Sequence, residues 1–246
     1  MEAAAQLHDE YMAPFFSIII PTYQEKDYIR ATLDSVKRQN FTDYEIIVCD
    51  FGSTDGTVQI AKEYGANVLN VKSRGSGFAR NLGAVAAKGR FLVFLDADTT
   101  MWPDCLEVFK VAIDSSNVAG FPSVEWATDT TLYNIFRKVF LNPLYFLSTI
   151  INIGVGPSCC SFYNKQVFLE THGFDETTEI LSNIDLNREV RRHGRLDFVV
   201  RAKCFTSDRR IKSEGFISYY LTIVYAFFMK KLKNKTMPLD FFQPVR

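Results

Sequence analysis

The sequence of 246 residues lacks the features that mark membrane-spanning, secreted and nucleic-acid-binding proteins. Its formal net charge is zero, so it carries no excess of basic residues for binding a phosphate backbone. No apolar run reaches the roughly 20 residues with which a helix crosses a bilayer. The first residues, MEAAAQLHDEYMA, are acidic and contain no apolar segment typical of a secretory signal. These absences predict a cytoplasmic protein that does not bind nucleic acid.

Cysteine is absent from the arrangements that bind zinc or form a disulfide framework. The five cysteines include no CxxC pair, although Cys159 and Cys160 are adjacent and Cys49 lies in an apolar run. Reduced and mostly buried thiols are the simplest interpretation, and they favour a reducing compartment.

Apolar residues make up 47% of the chain, which is enough for a packed core and argues against disorder.

The chain also lacks internal repeats and any linker rich in proline, serine or glycine. Within residues 15–100, apolar strand-like segments alternate with helical patterns, and the strands are predicted at FFSIIIP, YEIIVCD, ANVLNV and FLVFL. This alternation predicts an α/β fold in which helices flank a mostly parallel sheet. We expect residues 1–14 to be an extension, 101–215 to form the second half of the same domain, and 216–246 to be an apolar and then basic tail.

Polar residues follow three of the predicted strands, at 21–25, 50–57 and 96–98. Ligands of open parallel sheets bind at the carboxyl ends of the strands, and adjacent strands lie about 5 Å apart. The three polar segments are therefore expected to line one crevice. Their shared position is more informative about function than any single segment.

Asp96 and Asp98 carry the clearest chemical signal in these segments. Two carboxylates separated by one residue repel each other, and a divalent cation that also binds substrate phosphates relieves the repulsion. The alternative is that the aspartates only form a turn or cap a helix. In the turn DFGSTDGT, Asp50 and Ser53 either contact a nucleoside or simply begin a helix at Thr57.

Three arginines are candidates for contacting phosphate, because a guanidinium group matches phosphate oxygens in geometry and charge. Arg80 follows a glycine-containing turn that lacks the complete GxGxxG pattern of a dinucleotide site. Arg209 and Arg210 lie in the basic segment TSDRRIKSEGF. The alternatives are a surface ion pair for Arg80 and a solvated basic turn for the other two.

The order and spacing of four segments make the chain resemble the glycosyltransferases of family 2. The segments are SIIIPTYQEKDYIRATLDSVKRQ, EIIVCDFGSTDGT, GFARNLGAVAAKGRFLVFLDAD, and GFDE followed by IDLNREVRRHGR. The resemblance implies the GT-A fold, which is Rossmann-like, and transfer from a nucleotide-diphospho-sugar with inversion of the anomeric centre. It also implies Mg²⁺ or Mn²⁺ as cofactor and a UDP- or GDP-sugar as donor. Residues 15–100 would form the nucleotide-sugar-binding half, and residues 101–215 the acceptor-binding half.

Carried over motif by motif, the resemblance assigns the nucleoside site to the first two strand ends. Pro21, Thr22, Tyr23 and Glu25 would flank the nucleoside, and Asp50 would hold the base or the ribose.

The resemblance makes Asp96 and Asp98 the DxD motif, with Asp98 as the direct metal ligand and Asp96 nearer the ribose. Many relatives have a second aspartate where this chain has Phe51, a loss that Asp50 alone can compensate. The remaining predicted contacts to the nucleotide-sugar are Ser53, Arg80, Arg209 and Arg210.

The expected position of the general base departs from the family pattern. The resemblance places a Glu-Asp pair where this chain has Ser182 and Asn183, and an amide cannot accept the proton of the acceptor. Asp185 or Glu179 would have to serve after a shift of the loop. Alternatively, the acceptor is already an anion, such as a lipid phosphate, and needs little or no base. Asp185 also has a purely structural interpretation, stabilisation of the first turn of a helix.

Two uncharged segments bear on the acceptor. VFLNPLYFLSTIINI, at 139–153, is interrupted by the pair Asn142-Pro143, and FISYYLTIVYAFFM, at 216–229, is followed at once by KKLKNK. Aromatic residues beside lysines are typical of an element that lies at a membrane surface. The segments therefore favour peripheral membrane association and a polyprenyl or dolichyl phosphate acceptor. An ordinary core helix and a dimer contact are the alternatives for 216–229.

Two functions of different classes follow from these patterns. The first is a metal-dependent inverting glycosyltransferase that acts on a glycan or lipid-phosphate acceptor. The second is a catalytically silent protein that binds sugar nucleotides, because Asn183 stands at the usual position of the base.

Overall fold

The computed structural model describes residues 13–73, 75–115, 117–126, 131–151, 153–233 and 236–237. The extension predicted at 1–14 therefore lies outside the described residues except for its last two. The end of the tail, at 234–235 and 238–246, also lies outside them.

The first half of the chain alternates strands and helices as the apolar patterns predict. Its elements are β1 (Phe16–Thr22), α1 (Lys26–Lys37), β2 (Tyr44–Asp50), α2 (Thr57–Glu63), β3 (Asn67–Asn70), α3 (Ser76–Ala86) and β4 (Phe91–Leu95).

The second half is less regular. Its elements are β5 (Thr99–Met101), α4 (Cys105–Asp114), β6 (Asn117–Trp126), α5 (Thr131–Phe136), a π-helical turn (Arg137–Leu141), α6 (Asn142–Ile150), β7 (Cys160–Asn164), α7 (Lys165–Leu169), α8 (Ile184–Val190), β8 (Arg195–Thr206), α9 (Arg209–Glu214) and α10 (Phe216–Lys233).

All eight described strands form one sheet in the order β3-β2-β1-β4-β7-β6-β8-β5. The strands from β3 to β4 are parallel to one another, which confirms the prediction for the first half. β7 is antiparallel to both β4 and β6, whereas β6 and β8 are parallel. The short β5 closes the edge by pairing antiparallel with β8, and this pairing brings the end of β8 beside the aspartates that follow β4.

Both faces of the sheet are covered, so alternate residues of the central strands enter two apolar layers. On β1, Ile18 and Ile20 pack with Leu33 of α1 in one layer, and Ile19 packs with α3 in the other. A Cβ added to Gly83 of α3 would lie 2.5 Å from the Cγ2 of Ile19, so the glycine allows this helix to approach the sheet closely. The parallel strands are therefore fixed from both sides.

The five cysteines are free and buried, as predicted. Four of them belong to the layer that contains α1 and α4, namely Cys105, Cys159, Cys160 and Cys204.

The prediction that Asn142-Pro143 interrupts the apolar segment was wrong. The helix that begins at Thr131 continues to Ile150, with the turn from Arg137 to Leu141 widened to a π-helix. The amide of Asn142 donates to the carbonyl of Arg137, five residues earlier, and Pro143 lies in the first turn of α6. Proline has no N–H to donate, and the π-helical turn directly before it interrupts the regular hydrogen-bond ladder without ending the helix.

The tail folds back on the domain as helix α10. Its aromatic residues pack against α5, where the ring of Phe136 lies 5.1 Å from those of Phe216 and Tyr220. Near its other end, Lys230 forms ion pairs with Asp175 and Asp185 at 3.2 and 2.9 Å. Among the described residues, no helix is long and apolar enough to cross a membrane.

Candidate active site

The ends of β1 and β2 form one hydrogen-bonded unit. Thr22 lies opposite Asp50 in the parallel register, and its hydroxyl donates to Oδ1 of Asp50 at 2.9 Å. The amide and hydroxyl of Ser53 donate to the same carboxylate at 2.8 and 2.6 Å. Asp50 is 3% exposed, so it shapes the turn that follows β2 with both of its oxygens.

The loop after β1 is held by the turn after β2. Gln24 has a φ of 57°, a conformation that costs energy in a residue with a side chain, and its amide donates to Ser53 Oγ at 2.8 Å. The amide of Glu25 donates to Thr57 Oγ1 at 2.9 Å. Phe51, which replaces the second aspartate of the motif, lies 5.4 Å from the ring of Tyr23. The two predicted nucleoside segments are thus joined, with Glu25 at their common edge.

Three elements fix the backbone that carries Asp96 and Asp98. The amide of Asp96 donates to the carbonyl of Cys159, and the hydroxyl of Thr32 donates to the carbonyl of Ala97. The amide of Ser207 donates to the carbonyl of Asp98 at 3.0 Å. This last contact places the segment after β8 directly against the DxD motif.

Arg209 is the centre of the charged cluster. Its Nη1 and Nη2 donate to the two carboxylate oxygens of Glu25 at 2.9 and 2.8 Å, and its Nε lies 3.0 Å from Oδ2 of Asp98. The guanidinium also covers the ring of Tyr28, 4.7 Å from its centroid. With a side chain 22% exposed, Arg209 is not in a solvated basic turn.

The electrostatics of the cluster favour binding of a further cation. Burial raises the pKa of Asp98 to about 6, an increase that Arg209 opposes and that Asp96 and Glu25 reinforce. Burial also raises the pKa of Glu25, again against the effect of Arg209. The negative charge of Asp96 contributes to both increases, and a bound divalent cation would relieve the repulsion.

A second arginine closes the other side of the DxD motif. Arg80 is 3% exposed, forms an ion pair with Asp96, and lies 5.1 Å from the ring centroid of Phe174. Its Nη1 donates to Ser76 Oγ at 3.0 Å, and the amide of Ser76 donates to Glu179 at 3.1 Å. The surface ion pair considered for Arg80 is therefore excluded. Glu179 is connected to Asp96 through this chain of contacts.

The candidate catalytic residues Asn183 and Asp185 lie at the start of α8. Asn183 is 1% exposed, and its Nδ2 donates to the carbonyl of Gly156 at 3.2 Å, while its Oδ1 has no partner among the described residues. Asp185 lies in the first turn of α8, and its ion-pair partners are Lys230 at 2.9 Å and Arg188 at 3.4 Å. The contacts of Asp185 thus tie it to the tail, and those of Glu179 tie it to the DxD motif.

The side chains of Asp96 and Asp98 suit a hard cation such as Mg²⁺ or Mn²⁺, which prefers oxygen ligands. Within the ranges that the structure describes, no three His, Cys, Asp or Glu side chains are grouped closely enough to hold a metal by themselves. The aspartates fit a cation that takes most of its other ligands from phosphate and water.

Sequence reasoning missed two contacts of this site and one buried arginine. The pairing of Arg209 with Glu25 joins residues 184 positions apart, and the pairing of Lys230 with Asp185 joins the tail to α8. The burial of Arg137, which lies two residues before the apolar segment 139–153, was also missed. One signal was available, the cations Arg137 and Lys138 between the apolar residues of NIFRKVFL, where charge is unexpected.

Comparisons with known proteins agree with this geometry. Over residues 17–171 the sequence matches the family described as glycosyl transferase family 2. It is 38% identical over 108 residues to the poly(ribitol-phosphate) beta-N-acetylglucosaminyltransferase TarS of Staphylococcus aureus. The aligned residues cover 40% of this chain and 19% of TarS. It is 37% identical over 102 residues to the glycosyltransferase AglE of Haloferax volcanii, 38% of this chain and 34% of that protein. The chain thus spans well under two thirds of these relatives.

Solved structures show the same fold. TarS residues 1–349 in complex with UDP-GlcNAc superpose with a TM-score of 0.65 at 21% identity, covering 78% of this chain and 58% of that one. The mannosyltransferase PcManGT of Pyrobaculum calidifontis, in complex with GDP-Man and Mn²⁺, superposes with a TM-score of 0.66 at 20% identity. The superposition covers 94% of this chain and 67% of PcManGT. The family match extends over more than half of the residues. The chain therefore belongs to glycosyltransferase family 2 and has the GT-A fold.

Proposed function

We propose that this protein transfers a sugar from a nucleotide-diphospho-sugar to an acceptor, with inversion at the anomeric carbon and with the help of a divalent cation. The observation that carries the proposal is the convergence of Glu25, Asp96 and Asp98 with Arg209 at adjoining strand ends. The complexes of TarS with UDP-GlcNAc and of PcManGT with GDP-Man and Mn²⁺ support a UDP- or GDP-sugar as donor and Mg²⁺ or Mn²⁺ as cofactor.

We assign the nucleoside to the edge formed by β1 and β2. The backbone and side chains of Pro21, Thr22 and Tyr23 would flank it, with Asp50 and Ser53 near the base or ribose. The internal hydrogen bonds of Asp50 hold this edge in one shape before the donor arrives, which lowers the cost of ordering it on binding.

The diphosphate is assigned to the DxD side of the site. Asp98 would hold the cation, and Asp96, positioned by Arg80, would lie nearer the ribose. When bound, the cation supplies positive charge that stabilises the diphosphate leaving group. In the free protein Arg209 supplies that charge to Glu25 and Asp98, and we propose that Arg209 and its neighbour Arg210 contact the phosphates when the donor binds.

The base is assigned by its contacts. Asn183 cannot accept a proton, and the carboxylate of Asp185 is occupied by its ion pairs with Lys230 and Arg188. Glu179 is linked through Ser76 and Arg80 to Asp96, so it is the better candidate for an acceptor hydroxyl. An acceptor that is already an anion needs little or no base, and we favour a phosphate for that reason.

Turnover of the donor tests the proposal directly. A screen of UDP- and GDP-sugars with Mn²⁺ should identify a donor that raises the melting temperature, because bound ligand stabilises the folded state. Donor hydrolysis or transfer should then be measurable, and it should survive Asn183→Ala.

The alternative, a silent sugar-nucleotide binder, is favoured by one specific observation, the amide at position 183. It predicts nucleotide binding without turnover, and turnover that appears in Asn183→Asp. That pair of results would replace the enzymatic proposal.

The affinity for the nucleotide and cation together should depend on pH. Only the ionised carboxylate binds a cation, and the pKa of Asp98 is raised from 3.8 to about 6. We therefore expect affinity to be constant above pH 7 and to fall by about tenfold per pH unit below about 6, where each cation bound must displace a proton. Titration of UDP or GDP with Mn²⁺ between pH 5 and 8 measures this, and Asp98→Asn should remove the step. Affinity that stays constant over the whole range contradicts the assignment of Asp98 to the cation.

A membrane-surface location of the acceptor is proposed from the outer face of α10. Exposed apolar residues recur along it at helical spacing, namely Ile217, Leu221, Val224, Tyr225, Phe228 and Leu232. A groove of about 430 Å³ follows the same face, with Met237 contributing to its wall. The helix of α5 and α6 adds further exposed apolar residues, including Val139, Phe140 and Leu144. Such a surface suits lipid, and a lipid-linked phosphate is the acceptor that we favour.

Leu221→Glu combined with Phe228→Glu should abolish binding to anionic liposomes, because both charges enter the apolar face. Flotation of the purified protein with phosphatidylserine-containing liposomes measures this. Val85→Glu combined with Val111→Glu, at exposed positions on α3 and α4, adds the same charge outside this surface and is the matched control, which should float as the wild type does. Wild-type protein that fails to float, or that forms dimers which the double variant disrupts, would assign the face to a protein contact instead.

A further inference from the structure

Arg137 is a buried cation without a carboxylate partner. It lies in the π-helical turn, is 6% exposed, and has no ion pair with any residue that the structure describes. A buried charge costs several kcal/mol unless it is paired, so natural sequences rarely place one where it has no function. Its Nε and Nη1 atoms are both buried and both lack a hydrogen-bond partner within the described ranges.

Two further unpartnered atoms lie beside this guanidinium. They are Nε1 of Trp126 and the hydroxyl of Tyr220, both buried. The Cζ of Arg137 is 4.0 Å from the ring centroid of Trp126. Burial raises the pKa of Tyr220, and the indole N–H of Trp126 is near enough to its hydroxyl to oppose this rise, but the two groups do not meet the geometry of a hydrogen bond. All four atoms can donate a hydrogen bond, and three of them can only donate. A set of donors around one cation requires an acceptor that carries negative charge.

The surroundings keep Arg137 charged. Burial lowers its pKa, but Tyr145, Cys159, Tyr220 and Tyr219 raise it, and the net direction is upward. Tyr145 also forms a hydrogen bond with the guanidinium.

This cluster lies next to the proposed reaction centre. The carbonyl of Cys159 accepts from the amide of Asp96 at 2.9 Å, and the charge of Arg137 acts on the thiol of the same residue. The ring of Tyr219, at the start of α10, lies 6.4 Å from that of Trp126, and the charges of Arg137 and Arg210 both act on its hydroxyl. Cys159 and Tyr219 therefore connect the cluster to the DxD motif and to the start of α10.

We propose that Arg137, Trp126 and Tyr220 form a binding site for a phosphate monoester on the acceptor. Three terminal phosphate oxygens can accept the bonds that the four donors lack, and a guanidinium binds phosphate with two parallel hydrogen bonds. The proposal rests on the proposed transferase function only in calling the ligand the acceptor, since anion binding can be measured by itself.

Entry to the site requires movement of α10. Phe216, Tyr219 and Tyr220, in its first two turns, cover the cluster by packing against Phe136 and Trp126. The helix follows Gly215, whose φ of +82° gives the backbone a conformation that a residue with a side chain rarely adopts. A rotation about this glycine would open the site and close α10 over a bound acceptor.

Thermal unfolding in phosphate tests the proposal with the full chain. Inorganic phosphate, compared with sodium chloride at equal ionic strength, should raise the melting temperature of the wild type to a plateau. Arg137→Gln should weaken the phosphate affinity by about 10- to 100-fold, since hydrogen bonds to a charged group contribute about 1.5 to 3 kcal/mol. Trp126→Phe and Tyr220→Phe, which each remove one donor and retain the ring, should weaken it by smaller factors. Arg195→Gln, an exposed arginine on β8, is the matched control and should respond as the wild type does.

A second arm separates this site from the donor site. Saturating UDP or GDP with Mn²⁺ should leave the phosphate response in place, whereas loss of the response would assign phosphate to the diphosphate site and overturn the proposal. A structural role for Arg137 predicts a large loss of melting temperature in Arg137→Gln without phosphate. If Arg137 is instead an unpaired buried charge, its removal in Arg137→Gln should leave the melting temperature nearly unchanged or raise it. If Arg137→Gln does not fold, retention of the full phosphate response in the two phenylalanine variants would overturn the proposal.

The source of the phosphate is distinguished by the probe. A prenyl monophosphate that binds more tightly than glucose 6-phosphate indicates a lipid acceptor, and the reverse order indicates a phosphorylated sugar. Phosphate binding that depends on Arg137 in a protein without donor turnover would retain the anion site and reject only the transferase function.

Discussion

Asp98→Asn should lower the rate of sugar transfer by two to three orders of magnitude and leave the protein folded. Its carboxylate is the group that we assign to the cation, and removing one stabilising contact to a developing charge costs on the order of 10²- to 10³-fold in turnover. The amide has nearly the same shape and adds no charge to a cluster in which Asp96 and Glu25 already oppose ionisation of Asp98. Steady-state transfer with the donor identified by the thermal screen is the measurement.

The control for this variant is Asp114→Asn. Asp114 is 60% exposed and pairs with Lys110 on the surface of α4, so turnover should not change. Two results would remove the assignment of the DxD motif: turnover of Asp98→Asn within tenfold of the wild type, and nucleotide affinity that is indifferent to a chelator. A large fall in the melting temperature of Asp98→Asn would indicate that the loss of rate is a structural effect. Circular dichroism shows whether the variant is folded.

Arg209→Gln should destabilise the free protein by about 3 to 5 kcal/mol, the usual consequence of breaking a buried ion pair from one side. The substitution leaves Glu25 and Asp98, whose side chains are 13% and 14% exposed, without the cation that now separates them. Added Mn²⁺ should restore part of the loss, so the melting temperature should rise more with Mn²⁺ in the variant than in the wild type. Urea unfolding with and without Mn²⁺ measures both quantities.

Nucleotide affinity provides the second readout for Arg209. If the guanidinium moves onto the diphosphate, Arg209→Gln should weaken UDP or GDP binding about 10- to 100-fold even at saturating Mn²⁺. Arg30→Gln removes an arginine from a surface pair with Glu63, whose side chains are 54% and 46% exposed, and should change stability by less than about 1 kcal/mol. Unchanged nucleotide affinity in Arg209→Gln would make Arg209 a structural counter-cation only.

The first half of the chain was predictable because its signals are local. Alternating apolar residues define β1, β2 and β4, and a polar segment follows each of them within a few residues of the strand end. Parallel strands align these ends at one edge of the sheet, so adjacency in the sheet converts three short motifs into one site. The burial of the cysteines followed from the same apolar pattern.

The second half of the chain was harder to predict because its contacts join distant segments. Nothing near Asp185 in sequence indicates Lys230, and nothing near Glu25 indicates Arg209; antiparallel pairing of β5 with β8 and the return of α10 create both pairs. The π-helical turn before Pro143 likewise depends on packing, since the pattern alone indicated an interruption. Local propensity is a weak guide where tertiary contacts decide which conformation is stable.

The sequence by itself therefore determined the family and the GT-A fold, because both are encoded by residues close together in the chain. Only the tertiary structure decided the partner of each charge. It placed Arg209 between Glu25 and Asp98, joined Asp185 to the tail, and buried Arg137 without a carboxylate. The physical reason is that burial and pairing of charge depend on which surfaces the sheet order brings together, and that order is a property of the whole chain.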